Sequence, residues 1–303
     1  MSGDRPFLGI LLMLAFCVIV PLGDSLAKML GPVVTLATMI FVRFLFQAVM
    51  LTPIALATGR PVALRGRLFW LAYARALLQM AGLGCMFTAL AYLPLADAVA
   101  IAFVMPFIML LLGWFFLNEE VGIRRIAACT VGFIGTLMVI QPNFANVGWP
   151  VLYPLAVALI FALFMLITRQ IAKDTDPIGL QALNGITGTL TLLPLLWLGY
   201  VFDLAPMSFV WPETTHLPLL AVMGAVGTIA HLFMTWSLRY APSATLAPMQ
   251  YIEIPIATIY GFVFFGDLPN GLAAAGICVT IGAGLYIIYR EQANAKNTPA
   301  EPA

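Results

Sequence analysis

Ten apolar runs, each about twenty residues long, follow one another along this chain with only short breaks between them. A helix of that length crosses the hydrocarbon of a bilayer. Within hydrocarbon, only helices and closed barrels satisfy their own backbone groups. The runs cover residues 7–30, 34–56, 68–91, 95–117, 123–141, 149–171, 179–201, 217–239, 243–265 and 271–289. The fold class they predict is all-α and integral to the membrane, with ten transmembrane helices. The least marked breaks are "YLPLAD" and "YAPSAT", each a proline among small or polar residues, as in a turn. Only 9% of the residues are charged, against roughly 25% in soluble domains. A net charge of +1 leaves no basic surface to meet phosphates, which excludes nucleic acid as a partner.

The basic residues set the orientation. With the N-terminus inside, the inner segments hold Arg5, Arg60, Arg65, Arg67, Arg124, Arg125, Arg169, Lys173, Arg239, Arg290 and Lys296. The outer loops hold none, only the acids Asp203, Glu213 and Asp267. Both termini are therefore expected in the cytoplasm of a cell whose inner membrane holds the chain. The polar tail 291–303 is expected to be disordered. The first run is too long for a cleavable signal peptide, and Asp24 and Lys28 stand where a small-residue cleavage site would be. Cys17, Cys85, Cys129 and Cys278 lie far apart inside apolar runs, with no metal-site spacing, and read as small core residues.

The chain repeats itself. Residues 92–140 slide onto 240–288 without a gap, at an offset of 148. Tyr92, Pro94, Ala96, Ile108 and Gly113 meet Tyr240, Pro242, Ala244, Ile256 and Gly261. Phe116, Ala127, Val131, Leu137 and Ile140 meet Phe264, Ala275, Val279, Leu285 and Ile288. Glu119 meets Asp267, an acid for an acid, and a weaker echo at offset 145 pairs Ala27, Lys28 and Pro32 with Ala172, Lys173 and Pro177. The predicted halves are 1–148 and 149–290, five helices each. Five is odd, so the halves must lie in the membrane with opposite orientation. Inverted repeats of this kind belong to secondary transporters, whose site lies between the halves near the midplane.

The segment "FFLNEEVGIRRIAACTVGFIGTLMVIQP" resembles the end of helix 4 and helix 5 of the EamA-type members of the drug/metabolite transporter superfamily. "FFGDLPNGLAAAGICVTIGAGLYII" resembles the same motif in the second half, and "MIFVRFLFQAVML", with Arg43, resembles the second helix. Where that family shows Gly-Glu, this chain has Asn118-Glu119 and Gly266-Asp267. The resemblance implies a ten-helix basket around a central cavity lined by helices 1, 3, 4, 6, 8 and 9. Helices 5 and 10 would lie to the side, where they can mediate contacts in a homodimer. No cofactor or metal is implied.

Charges within the spans mark the candidate site. A charge at mid-bilayer costs about 2.5–3.5 kcal/mol on insertion scales. Asp24, Arg43, Arg75 and Glu253 lie deep, and facing lipid they would oppose insertion by roughly 10–14 kcal/mol together. They must therefore face the interior, pair or titrate. Lys28 and Asp97 lie nearer span ends and can snorkel. Asp24 and Lys28 share a helix face, and with Arg43 they are expected to form a cluster suited to a substrate carboxylate. Arg43 and Asp97 are assigned structural ion-pair roles, and Arg75 a place at the cavity. Glu253 stands mid-span between Pro248 and Pro255, on one face with Gln250. It is placed to carry a coupling proton, or to bind a substrate amine when ionised. Pro21, Pro106, Pro248 and Pro255 are the expected helix kinks; interruptions at matching places in two halves point to a transporter site. Trp236, Tyr251 and His231 complete the candidate lining.

No H-E-x-x-H, G-x-S-x-G or P-loop pattern is present, so hydrolytic chemistry and ATP-driven transport lack their residues. The reading is a secondary transporter for a small polar metabolite with an amino-acid-like carboxylate and amine, working by alternating access. One alternative is an uptake carrier for a larger metabolite or cofactor such as S-adenosylmethionine or riboflavin. Another, of a different class, is a membrane channel or a non-transporting scaffold.

Overall fold

A computed structural model describes residues 5–105, 107–108, 111–112, 115, 127, 130–139, 147–204, 207–241 and 246–297. Every predicted span contains a helix among these residues. These are α1 (Pro6–Leu30), α2 (Leu36–Ala57), α3 (Gly66–Leu90) and α4 (Leu95–Ala102), then α5 (Thr130–Val139). There follow α6 (Leu152–Ile171), α7 (Pro177–Val201), α8 (Leu217–Tyr240), α9 (Glu253–Phe265) and α10 (Gly271–Asn297). Six of the described helices are long and apolar enough to cross a membrane. The outer surface is itself apolar: Trp197, Leu190 and Val263 are each more than 60% exposed. A surface of that kind is stable only against lipid, and the protein is a multi-pass membrane protein.

Polar residues punctuate the helices where the runs break. Thr35 caps α2 by accepting from Thr38 N. Asp176 caps α7 by accepting from Ile178 N and Gly179 N, with Pro177 as the first helical residue, where a missing N–H costs nothing. Asp176 also takes Arg60 at 2.7 Å, tying the end of α2 to the start of α7. The tail differs from expectation: α10 continues to Asn297, through a stretch rich in the helix formers Glu291, Gln292, Ala293, Ala295 and Lys296.

Helices from the first half pack on helices from the second. α1 lies on α8 and α3 on α6; α2 lies on α7 and α4 on α9. Adding five to each first-half number and subtracting five from each second-half number returns the same set of pairs. Residue contacts show the same exchange. Gly132 faces Ala283 and Gly135 faces Thr280; at offset 148, Gly132 corresponds to Thr280 and Gly135 to Ala283. Phe103 and Tyr251, also 148 apart, have ring centroids 5.5 Å apart.

Two of the spans are interrupted at corresponding places. α4 ends at Ala102, with Phe103 as its cap. In the second half a 3-10 stretch, Ala247–Ile252, precedes α9, and the change of winding falls at Glu253. Pro248 stands at the start of the tight stretch and Pro255 lies just beyond the change. Pro106 lies outside the described residues. Pro21, by contrast, sits inside a continuous α1, where its carbonyl accepts from Ser25 Oγ at 2.7 Å.

Candidate functional site

The two interruptions border one cavity. It encloses about 110 Å³ of space, and opens at a mouth. Residues of α1, α2, α3, α4, α6, α8 and α9, with the 3-10 stretch, line it; none of its lining comes from α5, α7 or α10 among the described residues. Most of the wall is apolar, with Phe16, Phe87, Phe103 and Phe161 around it. Its polar lining consists of Asp24, Arg43, Gln79, His231, Gln250 and Glu253.

Five of those six side chains are ones the sequence singles out. Asp24 is within electrostatic reach of both Arg43 and Glu253. Arg43 Nη2 donates to His231 Nδ1 at 2.8 Å. Nδ1 also lies 3.2 Å from the Gly227 carbonyl oxygen. The imidazole sits edge-on among Phe16, Phe161 and Phe164, with centroids 6.0–6.5 Å away. Gly227 makes room for this arrangement: a Cβ there would overlap the Arg43 guanidinium. Arg43 is thus a wall residue bonded to His231, in place of the expected structural ion pair. Asp97 is buried in the first turn of α4 and does not line the cavity.

Lys28 corrects the expected three-residue cluster. Its Nζ lies 2.9 Å from Asp267 Oδ2, in the connection between α9 and α10. It also donates to Leu93 O at 3.2 Å and lies over the Phe265 ring. The helical spacing puts Lys28 on the face of Asp24, but its long stem carries the ammonium to the helix end, where an acid and a carbonyl wait. Trp236 packs with Phe233, and Tyr251 is buried against Phe103; neither lines the cavity.

Arg75 is also displaced from the expected lining. It is fully buried beside the cavity. It donates to Thr168 Oγ1 at 2.7 Å, Asn184 Oδ1 at 2.9 Å and Thr235 Oγ1 at 3.2 Å, and its guanidinium lies over Phe164 at 4.4 Å. Asn184 Nδ2 then donates to Gln79 Oε1 at 2.8 Å. Gln181 Nε2 donates to His231 O and to Thr235 Oγ1, both at 2.7 Å. Side chains of α3, α6, α7 and α8 thereby form one network. Sequence reasoning missed Gln47, Gln79 and Gln181. A signal for them exists: Arg43 and Gln47, Arg75 and Gln79, and Gln181 and Asn184 are three or four residues apart, on shared helix faces.

Arg43 Nη1, Gln79 Nε2 and Gln250 Oε1 are buried without a hydrogen-bond partner, and all three side chains line the cavity. A buried polar group left unpaired costs about 1–3 kcal/mol, so each of the three is unfavourable as it stands. A buried apolar cluster adjoins the cavity. Met13, Phe164, Met165, Met234 and Leu238 belong to it, and Ser237 Oγ donates to Gly9 O at 2.7 Å.

A multi-pass bundle whose helices enclose a cavity with polar groups at its wall belongs to the class of membrane transporters. The model of the EamA-like transporter family matches residues 7–141 and again 148–290, and the chain belongs to that family, within the drug/metabolite transporter superfamily. It is 26% identical to an S-adenosylmethionine uptake transporter of Rickettsia prowazekii, over 89% of each chain. It is 29% identical to a riboflavin transporter of Rhizobium johnstonii, over 82% of this chain and 78% of that one. A pseudopaline exporter of Pseudomonas aeruginosa is 26% identical over 63% of this chain and 65% of its own. A crystal structure with 18% identity shares the fold at a TM-score of 0.67, covering 96% of this chain and 99% of the other.

Proposed function

We propose that this chain is a secondary transporter of the bacterial inner membrane. It moves a small metabolite with an amino-acid-like carboxylate and amine by alternating access between two inverted five-helix halves, 1–148 and 149–290. The observation that carries this is the cavity itself: Asp24, Glu253 and Arg43 border one space between helices that exchange under the offset of 148. The family match to each half in turn supports the repeat. Two halves of five spans each put both termini on the cytoplasmic side, in keeping with the basic residues. The outer faces of α5 and α10 remain for lipid or a second copy.

Glu253 stands at the change of winding, facing Asp24 across the cavity. Two carboxylates bordering one space offer acceptors to a proton or to an amine. This suits Glu253 to carry a coupling proton. The phenylalanines of the wall favour a substrate with more apolar surface than a simple amino acid. S-adenosylmethionine, an amino acid with a bulky cationic side group, fits both descriptions, and four of the similar transporters carry it in their names. Riboflavin is the second reading, favoured by the aromatic wall.

A thermal-shift screen of purified protein against metabolites, followed by uptake of the hits into proteoliposomes, tests the proposal. Saturable uptake of an amino-acid-like compound that responds to a proton gradient is expected. Flux that rises linearly with concentration, as through a channel, would contradict it.

A further inference from the structure

The network beneath the cavity has a direction. Arg75 donates only, so the Asn184 atom facing it must be the oxygen. That leaves the Asn184 NH2 to face Gln79, so the Gln79 atom receiving it is also an oxygen. The remaining Gln79 atom is therefore the NH2, and it is the one left without a partner. Arg75 has in this way fixed, through one intervening amide, which end of Gln79 lacks a partner. Arg43 adds a second unpartnered donor, Nη1, because its Nη2 is taken by His231. On α9's side the polarity is reversed. Gln250 Nε2 faces the Met165 and Met13 sulfurs at 3.3 and 3.8 Å, and a thioether only accepts. Its oxygen is thus the free atom, and one turn on stands Glu253.

From these polarities we propose that Arg43 Nη1 and Gln79 Nε2 form the subsite for a substrate carboxylate, and that Arg75 and Asn184 are positioning residues that keep Gln79 facing it as a donor. Gln250 Oε1 and Glu253 form the opposite, accepting pole, which takes the substrate amine. All of these side chains except Arg75 and Asn184 line the cavity, and Arg43, Gln79 and Gln250 are each at least 97% buried. The inference deepens the amino-acid reading given above and rests on it. It goes further in placing the carboxylate on α2 and α3 and in giving Arg75 a role without substrate contact.

The test compares binding of S-adenosyl-L-methionine with that of its decarboxylated form to the purified full chain in detergent. The parent is expected to bind the carboxylate-bearing compound at least tenfold more tightly. Gln79→Met is expected to reduce that preference below threefold. Asn184→Asp is the sharper variant. It gives Arg75 a carboxylate, so the fold is retained, but the new side chain offers Gln79 only an acceptor. Gln79 must then turn its NH2 inward and its oxygen to the cavity, and the carboxylate preference is expected to be lost. Retention of the full preference in Asn184→Asp or Gln79→Met overturns the subsite. Equal binding of both compounds by the parent overturns the subsite alone. Binding of neither overturns it together with the amino-acid reading.

Discussion

At the scale of single residues, charge is the readable signal and side-chain reach is not. Asp24 and Glu253 stand out in the sequence because an acid in mid-span is too costly to face lipid. Lys28 falls outside the expected cluster because helical spacing gives a face, whereas a four-carbon stem decides the final position of the ammonium. Gln79 escapes notice because an amide carries no charge, although its place one turn from Arg75 marks it. Glu253→Gln is expected to abolish proton-driven uptake and to weaken substrate binding while leaving the folded state intact, as read by gradient-driven flux beside a thermal melt. Unchanged flux would remove Glu253 from coupling. Gly227→Ala puts a methyl group against the Arg43 guanidinium. A loss of about 1–3 kcal/mol is expected from the overpacking, together with weaker substrate binding, measurable by denaturation and by thermal shift with ligand.

At the scale of helices, the apolar runs locate every element, while the breaks within spans need the coordinates. Pro248 and Pro255 flag span 9, and the structure puts the change of winding between them at Glu253. The end of α4 at Ala102 is not legible, since Phe103 and Val104 are as apolar as their neighbours. Close packing of α2 on α7 depends on Gly185, where a Cβ would run into the Ala48 backbone. Gly185→Leu is expected to separate the pair and lower stability by about 3 kcal/mol, seen as loss of monodisperse protein. Lys28 and Asp267 join α1 to the α9–α10 connection at the end of the bundle nearer the cavity. Their side chains are 18% and 35% exposed, so the bridge contributes little to stability, about 0–1 kcal/mol. Its consequence is for motion. Asp267→Asn is expected to change the transport rate severalfold with little change in melting temperature, and the exchanged pair Lys28→Asp with Asp267→Lys to restore it. Equal rates in all three proteins would make the bridge incidental.

At the scale of the whole molecule, the offset of 148 is visible because the spans it covers keep glycines, prolines and aromatics in register. What it does not show is where the halves touch. Reciprocal contacts between Gly132 and Ala283, and between Gly135 and Thr280, supply that. So does the pairing of α1 with α8 and α3 with α6. The proposed alternating access needs a second state in which the cavity opens to the other side of the membrane. The most direct measurement is counterflow: proteoliposomes preloaded with unlabelled S-adenosylmethionine and diluted into a trace of labelled compound. An alternating-access carrier accumulates the label transiently above its outside concentration, and Glu253→Gln, which needs no net proton movement for exchange, does so as well. Label that only equilibrates, with no overshoot in any preloaded substrate found by the screen, would contradict a binding site that faces one side of the membrane at a time.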